Sequence, residues 1–273
     1  MTARETPADG AGERDTAVLY EARDGAAWIT FNRPAQLNAF DLALAQGFRE
    51  AVTLALRDED VRVIVVRAAG RSFSAGGDLG YLQAAQDKPG AALSLIEPFH
   101  ATLGDLARTP KIVLGSLKGA VAGGGMSLAL NLDLLIAADD SVFNFAYGRI
   151  GTSPDCGGSW ALPRLVGLRR ALSIALLSES IDAQEALSLG LVNSVVPREA
   201  LDEETGKLAA RLARGAPVAQ GHIKALLRAS LDNGYDAQLA REAVSFAACA
   251  RTQDFAQALA AFIDKRKPVF HGR

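Results

Sequence analysis

The stretch GAVAGGGMSLALNLDLLIAA, Gly119 to Ala138, decides the fold of this protein. Gly123, Gly124 and Gly125 stand directly before a run of good helix formers, although each glycine costs about 1 kcal/mol relative to alanine inside a helix. The stretch ends in the apolar segment LDLLIAA, 132–138, which has the pattern of a buried strand. Bare backbone at the start of a buried helix therefore requires an explanation.

The segments on either side of this stretch alternate between strand and helix patterns. The β-branched run at 61–70 and KIVLGSLKGAVA at 111–122 each predict a buried parallel strand. Alternation of strands and helices predicts an α/β fold with right-handed crossovers and a parallel sheet. We expect a hairpin at Asp24–Gly25, a helix from the N-cap Asp41 to about Leu56, and further helices over 91–108, 182–190, 198–214, 217–232, 235–250 and 252–265.

This pattern divides the chain into three parts. We expect a polar, disordered tail at 1–16, an α/β core at 17–197 and a helical region at 198–273. The apolar stripes of the last helices are wider than one partner helix needs, which indicates contact with another subunit.

Composition excludes several classes of protein. A net charge of −2 over 273 residues does not favour nucleic acid or an anionic membrane as partner. Two cysteines and three widely separated histidines predict neither a disulfide framework nor a metal centre. No apolar run is long enough to span a membrane, and the N-terminus lacks the apolar segment of a secretory signal. We expect a cytoplasmic protein.

Two of the predicted strands are each followed by a glycine-rich loop. The first loop is RSFSAGGDLG at 71–80, and the second is AGGG at 122–125. Ligands of parallel sheets collect beyond the carboxyl ends of the strands, and the first N–H groups of a helix have no internal partner. We therefore predict an oxyanion hole, with the backbone N–H groups of Gly77 and Gly124 as donors. The alternative is that the glycines only permit tight turns and close packing.

Several motifs then occur in a recognisable order: ITFNRPAQLNAF (29–40), the two glycine loops, ALPRLVG (161–167), SIDAQEALSLGLVNSVVP (180–197) and FIDKRKPVF (262–270). Together they resemble the enoyl-CoA hydratase/isomerase (crotonase) family over about residues 17–270. The resemblance implies a core of repeated ββα units and a C-terminal helical trimerisation region that forms trimers or dimers of trimers. It also implies an acyl-coenzyme A thioester as substrate, with an enolate stabilised by Gly77 and Gly124.

The same resemblance implies how coenzyme A binds. It places four contacts at the backbone of the core, and two further contacts near the C-terminus that reach a neighbouring subunit. These residues are Gln36, Leu37, Ser74 and Ala75 in the core, and Phe262 and Lys265 near the C-terminus. The alternative for Lys265 is an ordinary basic helix end. No metal is implied, and no cofactor beyond the coenzyme A of the substrate.

The sequence departs from the family where a hydratase carries two glutamates. Ser127 and Tyr147 occupy these positions, and neither hydroxyl replaces a carboxylate as base. Asp155, in GTSPDCGGS, is the remaining carboxylate, and some isomerases of the family also carry an aspartate there. A single carboxylate can remove a proton at one carbon and return it at another. The alternative for Asp155 is a helix cap or a local turn.

We therefore favour an isomerase-type reaction that uses Asp155, with Tyr147 at the substrate. The alternatives are a hydratase with atypical acid and base groups, a non-catalytic acyl-CoA binder and, more remotely, a serine hydrolase built on Ser127 and His100. A benzoyl-CoA dehalogenase branch of the family also carries an aspartate at the position of Asp155. A dehalogenase would need an aromatic-lined pocket, and the available aromatic residues are Phe73, Tyr81, Phe99, Tyr147 and Trp160. We expect structural roles for five of the other polar candidates, His100, Asp78, Asp133, Asp139 and Cys156. For Arg149 we expect a solvated charge, and the alternative is contact with a polar acyl group.

Overall fold

Two sheets organise the computed structural model, which describes residues 16–272. Within these residues a six-stranded sheet has the order β1-β2-β3-β4-β6-β9, and a three-stranded sheet has the order β5-β7-β8. In the larger sheet β1 is antiparallel to β2 and the other neighbours are parallel. The strands are β1 Val18–Arg23, β2 Ala26–Phe31, β3 Val63–Ala68, β4 Ile112–Leu117, β5 Ala120–Ala122, β6 Leu134–Ala138, β7 Val142–Asn144, β8 Ile181–Asp182 and β9 Ser194–Val196.

The predicted disordered tail lies outside the described residues, except for Thr16. The helices that follow and connect the strands are α1 Leu42–Arg57, α2 Leu79–Ala84, α3 Lys88–Arg108, α4 Gly124–Ala129, α5 Gly158–Val166, α6 Leu168–Leu177, α7 Ala183–Ser188, α8 Leu201–Ala213, α9 Pro217–Ala229, α10 Tyr235–Ala250 and α11 Gln253–Ile263. Short 3-10 helices occur at Pro34–Gln36, Ala146–Ile150 and Arg198–Ala200.

Local sequence signals set several of these boundaries. The Asp41 carboxylate accepts a hydrogen bond from the N–H of Leu44 at 2.9 Å, and the Asp182 carboxylate accepts one from Glu185 at 2.8 Å. Both are N-caps, which satisfy backbone donors that the first helical turn leaves free. The predicted hairpin turn at Asp24–Gly25 is confirmed, with positive φ at both residues.

The larger sheet is buried on both faces. In β2, Ile29 and Phe31 belong to the main apolar core, whereas Trp28 faces the opposite cluster. That cluster includes Leu201 and Ala209 of α8, so the first helix of the C-terminal region covers one face of the sheet. Double coverage explains why the strands read as continuous apolar runs.

The prediction of one strand over 111–122 was wrong. The segment forms two strands in different sheets, β4 and β5, separated at Gly119 with a φ of +53°. A Cβ at Gly119 would collide with the carbonyl oxygen of Arg71, so glycine is needed where the chain changes sheets. Helix α2 and strand β7 were not predicted.

Candidate active site

The two glycine loops pack backbone against backbone. Ser74 donates its N–H to the carbonyl of Ala120 at 3.0 Å, and Ala122 donates to the carbonyl of Ser74 at 2.9 Å. A Cβ on Gly76 would lie 2.9 Å from the carbonyl oxygen of Ala122 and 3.2 Å from the nitrogen of Gly124. Gly76 also has a φ of +91°, which residues with a Cβ rarely adopt. Glycine is therefore required for the contact between the loops.

The backbone N–H groups of Gly77 and Gly124 are left free in this arrangement. Phe40 donates to the carbonyl of Gly76 at 2.7 Å, and Asp78 donates to the carbonyl of Phe40 at 2.9 Å, so the N–H of Gly77 points to the other side. Gly124 is the first residue of α4, where N–H groups have no intrahelical acceptor. Among residues 16–272, no protein atom accepts a hydrogen bond from either group. Two adjacent free donors can hold a developing oxyanion.

Asn38 holds the first glycine loop in place through hydrogen bonds to its backbone and to a residue that precedes it. This side chain is fully buried, and its amide donates to the carbonyls of Ala69 at 2.9 Å and Ser72 at 2.8 Å. The hydroxyl of Ser74 donates to the carbonyl of Asn38 at 2.8 Å. Sequence reasoning missed Asn38 and Phe40, although both lie in the ITFNRPAQLNAF motif.

The segments predicted to contact coenzyme A lie side by side. Ala75 donates its N–H to the carbonyl of Leu37 at 3.0 Å, which joins 36–37 to 74–75. The Ser74 side chain is buried and bonded within the protein, whereas Ala75 and Gln36 are exposed. Phe262 is 84% exposed, and neither it nor Lys265 hydrogen-bonds to the glycine loops within the described chain.

Asp78 organises the first loop. Its carboxylate accepts hydrogen bonds from Gly80 at 3.1 Å and Tyr81 at 3.2 Å at the start of α2, and it pairs with Arg33 at 3.1 Å. Arg33 also pairs with Asp41 at 3.0 Å. Burial acts to raise the pKa of Asp78, but the hydrogen bonds from Tyr81 and Arg33 outweigh it and lower that pKa below its usual value.

Ser127, Tyr147 and Asp155 meet in one hydrogen-bonded chain. The phenol of Tyr147 donates to Oδ1 of Asp155, and the hydroxyl of Ser127 lies 2.8 Å from the same phenol oxygen. Oδ1 of Asp155 lies 3.4 Å from the position that a Cβ on Gly124 would occupy. The carboxylate is therefore beside one of the two free N–H donors. It caps no described helix, since α5 begins at the N-cap Gly157 without a side-chain hydrogen bond.

The direction of the hydrogen bonds in this chain follows from the groups themselves. Burial, together with the negative charge of Asp155, raises the pKa of Tyr147 far above its usual value, so the phenol stays protonated. A carboxylate only accepts hydrogen bonds, so Tyr147 donates to Asp155 and Ser127 donates to Tyr147. Tyr147 therefore orients the carboxylate, Ser127 orients the phenol, and neither hydroxyl competes with Asp155 as a base.

The remaining candidates have structural surroundings. Burial and the nearby Asp155 raise the pKa of the Cys156 thiol, so it is not a thiolate nucleophile. Asp133 pairs with Lys224 and Arg228, Asp139 accepts the N–H of Arg198 at 3.1 Å, and Arg149 donates to the carbonyl of Ser178. Of the aromatic residues, Phe73 and Phe99 are buried in the core.

Trp160 is on α5 and is 42% exposed. Its ring packs against the guanidinium of Arg164 at 4.1 Å and borders a groove of about 410 Å³ between α5 and α9. Neither Gly77, Gly124, Tyr147 nor Asp155 lines this groove, and the availability of Trp160 to an acyl pocket stays a prediction. Within residues 16–272, no group of three or more His, Cys, Asp or Glu side chains is arranged to hold a metal ion. None of the described helices is both long and apolar enough to span a membrane.

The fold defines an α/β protein in which two backbone N–H groups, those of Gly77 and Gly124, are free beside the sheet. The family model described as Enoyl-CoA hydratase/isomerase matches residues 21–273. The chain belongs to this enoyl-CoA hydratase/isomerase (crotonase) family, and its fold is the crotonase fold.

Relatives carry both activity names of the family. A Rhodobacter capsulatus protein named "Probable enoyl-CoA hydratase" is 38% identical over 94% of this chain and 98% of its own length. The 1,2-epoxyphenylacetyl-CoA isomerase of Escherichia coli K12 is 34% identical over the same shares of both chains. The crystal structure of an enoyl-CoA hydratase from Polaromonas sp. JS666 is 32% identical, with a TM-score of 0.89 over 93% of this chain and 99% of that chain.

Proposed function

We propose that this protein is an enoyl-CoA isomerase-type enzyme in which Asp155 is the single acid–base group. The observation that carries the proposal is the position of the Asp155 carboxylate, beside Gly124 and bonded to Tyr147. The positions where a hydratase carries its glutamates hold Ser127 and Tyr147, whose hydroxyls support the carboxylate instead. The relative named as an isomerase is consistent with this assignment.

In the proposed reaction the thioester carbonyl accepts hydrogen bonds from the N–H groups of Gly77 and Gly124. Asp155 removes a proton from the carbon next to the carbonyl, and the negative charge moves to the thioester oxygen, where the two donors stabilise it. The protonated Asp155 then returns the proton two carbons further along the chain, and the double bond moves into conjugation. The reaction needs no water and no cofactor beyond the coenzyme A of the substrate.

We further propose that coenzyme A contacts Gln36, Leu37, Ser74 and Ala75, with Phe262 and Lys265 contributed in an oligomer. Large apolar side chains are exposed on α6, α9 and α11, including Leu176 at 75%, Leu227 at 68% and Ile263 at 77%. Exposed apolar surface of this kind is typical of subunit interfaces. A trimer or a dimer of trimers would cover it, and mass photometry would count the subunits.

The test is mass spectrometry of 2-enoyl-, 3-enoyl- and aryl-acyl-CoA thioesters incubated with the enzyme in D₂O. We expect deuterium to enter an unhydrated thioester as its double bond moves. In Asp155→Asn we expect this exchange to fall by at least about 100-fold, because acid–base groups contribute about 10²–10⁴ in rate. Asp139→Asn is the matched control, since Asp139 is an exposed strand-end carboxylate.

Two other outcomes would replace the proposal. Addition of D₂O across a double bond would identify a hydratase, which the relative named "Probable enoyl-CoA hydratase" favours. Binding of every thioester without any turnover would identify a non-catalytic acyl-CoA binder.

A further inference from the structure

The peptide that follows Asp155 has an unusual conformation. The carbonyl of Asp155 accepts a hydrogen bond from the N–H of Gly158 at 2.9 Å, which closes a turn. Both central residues of that turn have positive φ, +46° at Cys156 and +72° at Gly157. Gly157 adopts this conformation freely, but the Cβ of Cys156 makes it unfavourable there. Backbone strain of this kind persists only where the surroundings enforce it.

Two side chains hold the Cys156 residue from opposite sides. Nε2 of His100, on α3, accepts the N–H of Cys156 at 3.2 Å. Nδ2 of Asn131, just after α4, donates to the carbonyl of Cys156 at 3.0 Å. The backbone donor and acceptor of one strained residue are thus both satisfied by side chains from distant parts of the chain. Because Nε2 accepts, His100 carries its proton on Nδ1.

Asn131 also reaches the far end of the hydrogen-bonded chain at the site. The same amide nitrogen donates to the carbonyl of Ser127 at 2.8 Å. One side chain therefore ties the backbone of Ser127 to the backbone next to Asp155. Arg228 of α9 in turn donates to the carbonyl of Asn131 at 2.8 Å, which anchors Asn131 to the C-terminal helical region.

The turn is shaped to receive Asn131. A Cβ on Gly157 would lie 2.7 Å from Nδ2 and 2.9 Å from Oδ1 of Asn131, closer than real Cβ contacts. Glycine therefore serves both the positive φ and the close approach of the amide. Sequence reasoning missed Asn131, although a polar side chain inside the apolar run SLALNLDLLIAA was a signal.

We propose that His100 and Asn131 are positioning residues, which hold the turn after Asp155 and thereby fix its carboxylate against Tyr147 and Gly124. The proposal rests on the acid–base role proposed for Asp155. Neither residue hydrogen-bonds to the Asp155 carboxylate within the described chain, and each acts through the Cys156 peptide. Loss of either contact frees the turn to leave its strained conformation and moves the carboxylate out of line with the two N–H donors.

The experiment compares His100→Ala and Asn131→Ala with two matched controls. His222→Ala removes a half-buried histidine of α9, and Asn193→Ala removes an asparagine that accepts the N–H of Leu135 at 2.7 Å. Three quantities are measured: kcat and KM on a thioester that the wild type turns over, affinity for a saturated acyl-CoA, and hydrogen exchange of the peptide covering 152–160.

We expect His100→Ala and Asn131→Ala each to lower kcat by about 5–30-fold, the loss that corresponds to one or two hydrogen bonds. KM and the affinity for the saturated acyl-CoA should stay within about twofold of wild type, and exchange of 152–160 should become faster. The two controls should change none of these. Because His100 is exposed, its variant should fold even if Asn131→Ala does not.

Unchanged exchange in both variants would overturn the proposal, whatever their activity. Faster exchange with an unchanged kcat would also overturn it, because order in the turn would then not matter for turnover. If Asp155→Asn itself keeps wild-type turnover, the proposed function fails separately. In that case faster exchange would show only that His100 and Asn131 stabilise the turn, and their proposed role in positioning Asp155 for catalysis would be wrong as well.

Discussion

The phenol of Tyr147, a residue that is only 6% exposed, donates a hydrogen bond to the carboxylate of Asp155. The two residues are eight positions apart, and the hydroxyl of Ser127, on α4, bonds to the Tyr147 phenol. Ser127 and Tyr147 carry no carboxylate themselves, and their hydroxyls form the hydrogen-bonded chain that ends at the carboxylate of Asp155.

Removal of this donor should impair turnover without impairing binding. We expect Tyr147→Phe to lower kcat by about tenfold, because the carboxylate loses the hydrogen bond that orients it. Steady-state kinetics and calorimetry with a saturated acyl-CoA would measure the two effects separately. Tyr235→Phe is the control, since that ring is 78% exposed on α10. A Tyr147→Phe enzyme with wild-type kcat would show that the hydrogen bond has no role in catalysis.

The adjacent glycines of the first loop should respond differently to the same substitution. We expect Gly76→Ala to lower the free energy of unfolding by about 2–5 kcal/mol, because a Cβ there meets the Ala122 carbonyl at a φ of +91°. Gly77→Ala should stay within about 0.5 kcal/mol of wild type, since no atom lies within 4 Å of its Cβ position. Urea denaturation of both variants would decide this, and equal losses would contradict the packing described.

The buried ion pairs of Asp133 should be important for stability. Asp133 pairs at 2.7 Å with Lys224, whose side chain is only 4% exposed, and at 2.7 Å with Arg228. Asp133→Asn leaves Lys224 buried without its counter-charge, so we expect a loss of about 3–5 kcal/mol in urea denaturation. Asp232→Asn, which breaks an exposed pair with Arg164, should cost less than about 1 kcal/mol. Similar losses in the two variants would be inconsistent with this difference in burial.

The Arg33–Asp78 pair should make part of the stability sensitive to acid. Asp78 has a lowered pKa in the folded protein, so its contribution is present above the unfolded pKa of about 3.9 and is lost as pH falls through the folded value. We expect Asp78→Asn to lower Tm by roughly 1–3 °C at pH 7, since the pair is near the surface. The difference should shrink as pH falls below about 4 in differential scanning fluorimetry. A gap that is constant down to pH 3 would exclude a charge effect.

Much of the fold could be predicted from sequence because its signals are local. The hairpin at Asp24–Gly25, the caps at Asp41 and Asp182 and the apolar strands each depend on residues a few positions apart. The strand predicted over 111–122 failed because the change of sheet at Gly119 depends on the carbonyl of Arg71, far away in sequence. The presence of a glycine in the sequence does not reveal which distant atom will pack against that position.

The sequence by itself determined the family, the two glycine loops and the absence of two glutamates. Only the tertiary structure decided that Ser127, Tyr147 and Asp155 share one hydrogen-bonded chain, and that His100 and Asn131 meet at Cys156. His100 and Cys156 are 56 positions apart, and Asn131 and Cys156 are 25 apart. Periodicity and turn chemistry act over a few residues, whereas these contacts are set by how helices and loops pack across the sheet.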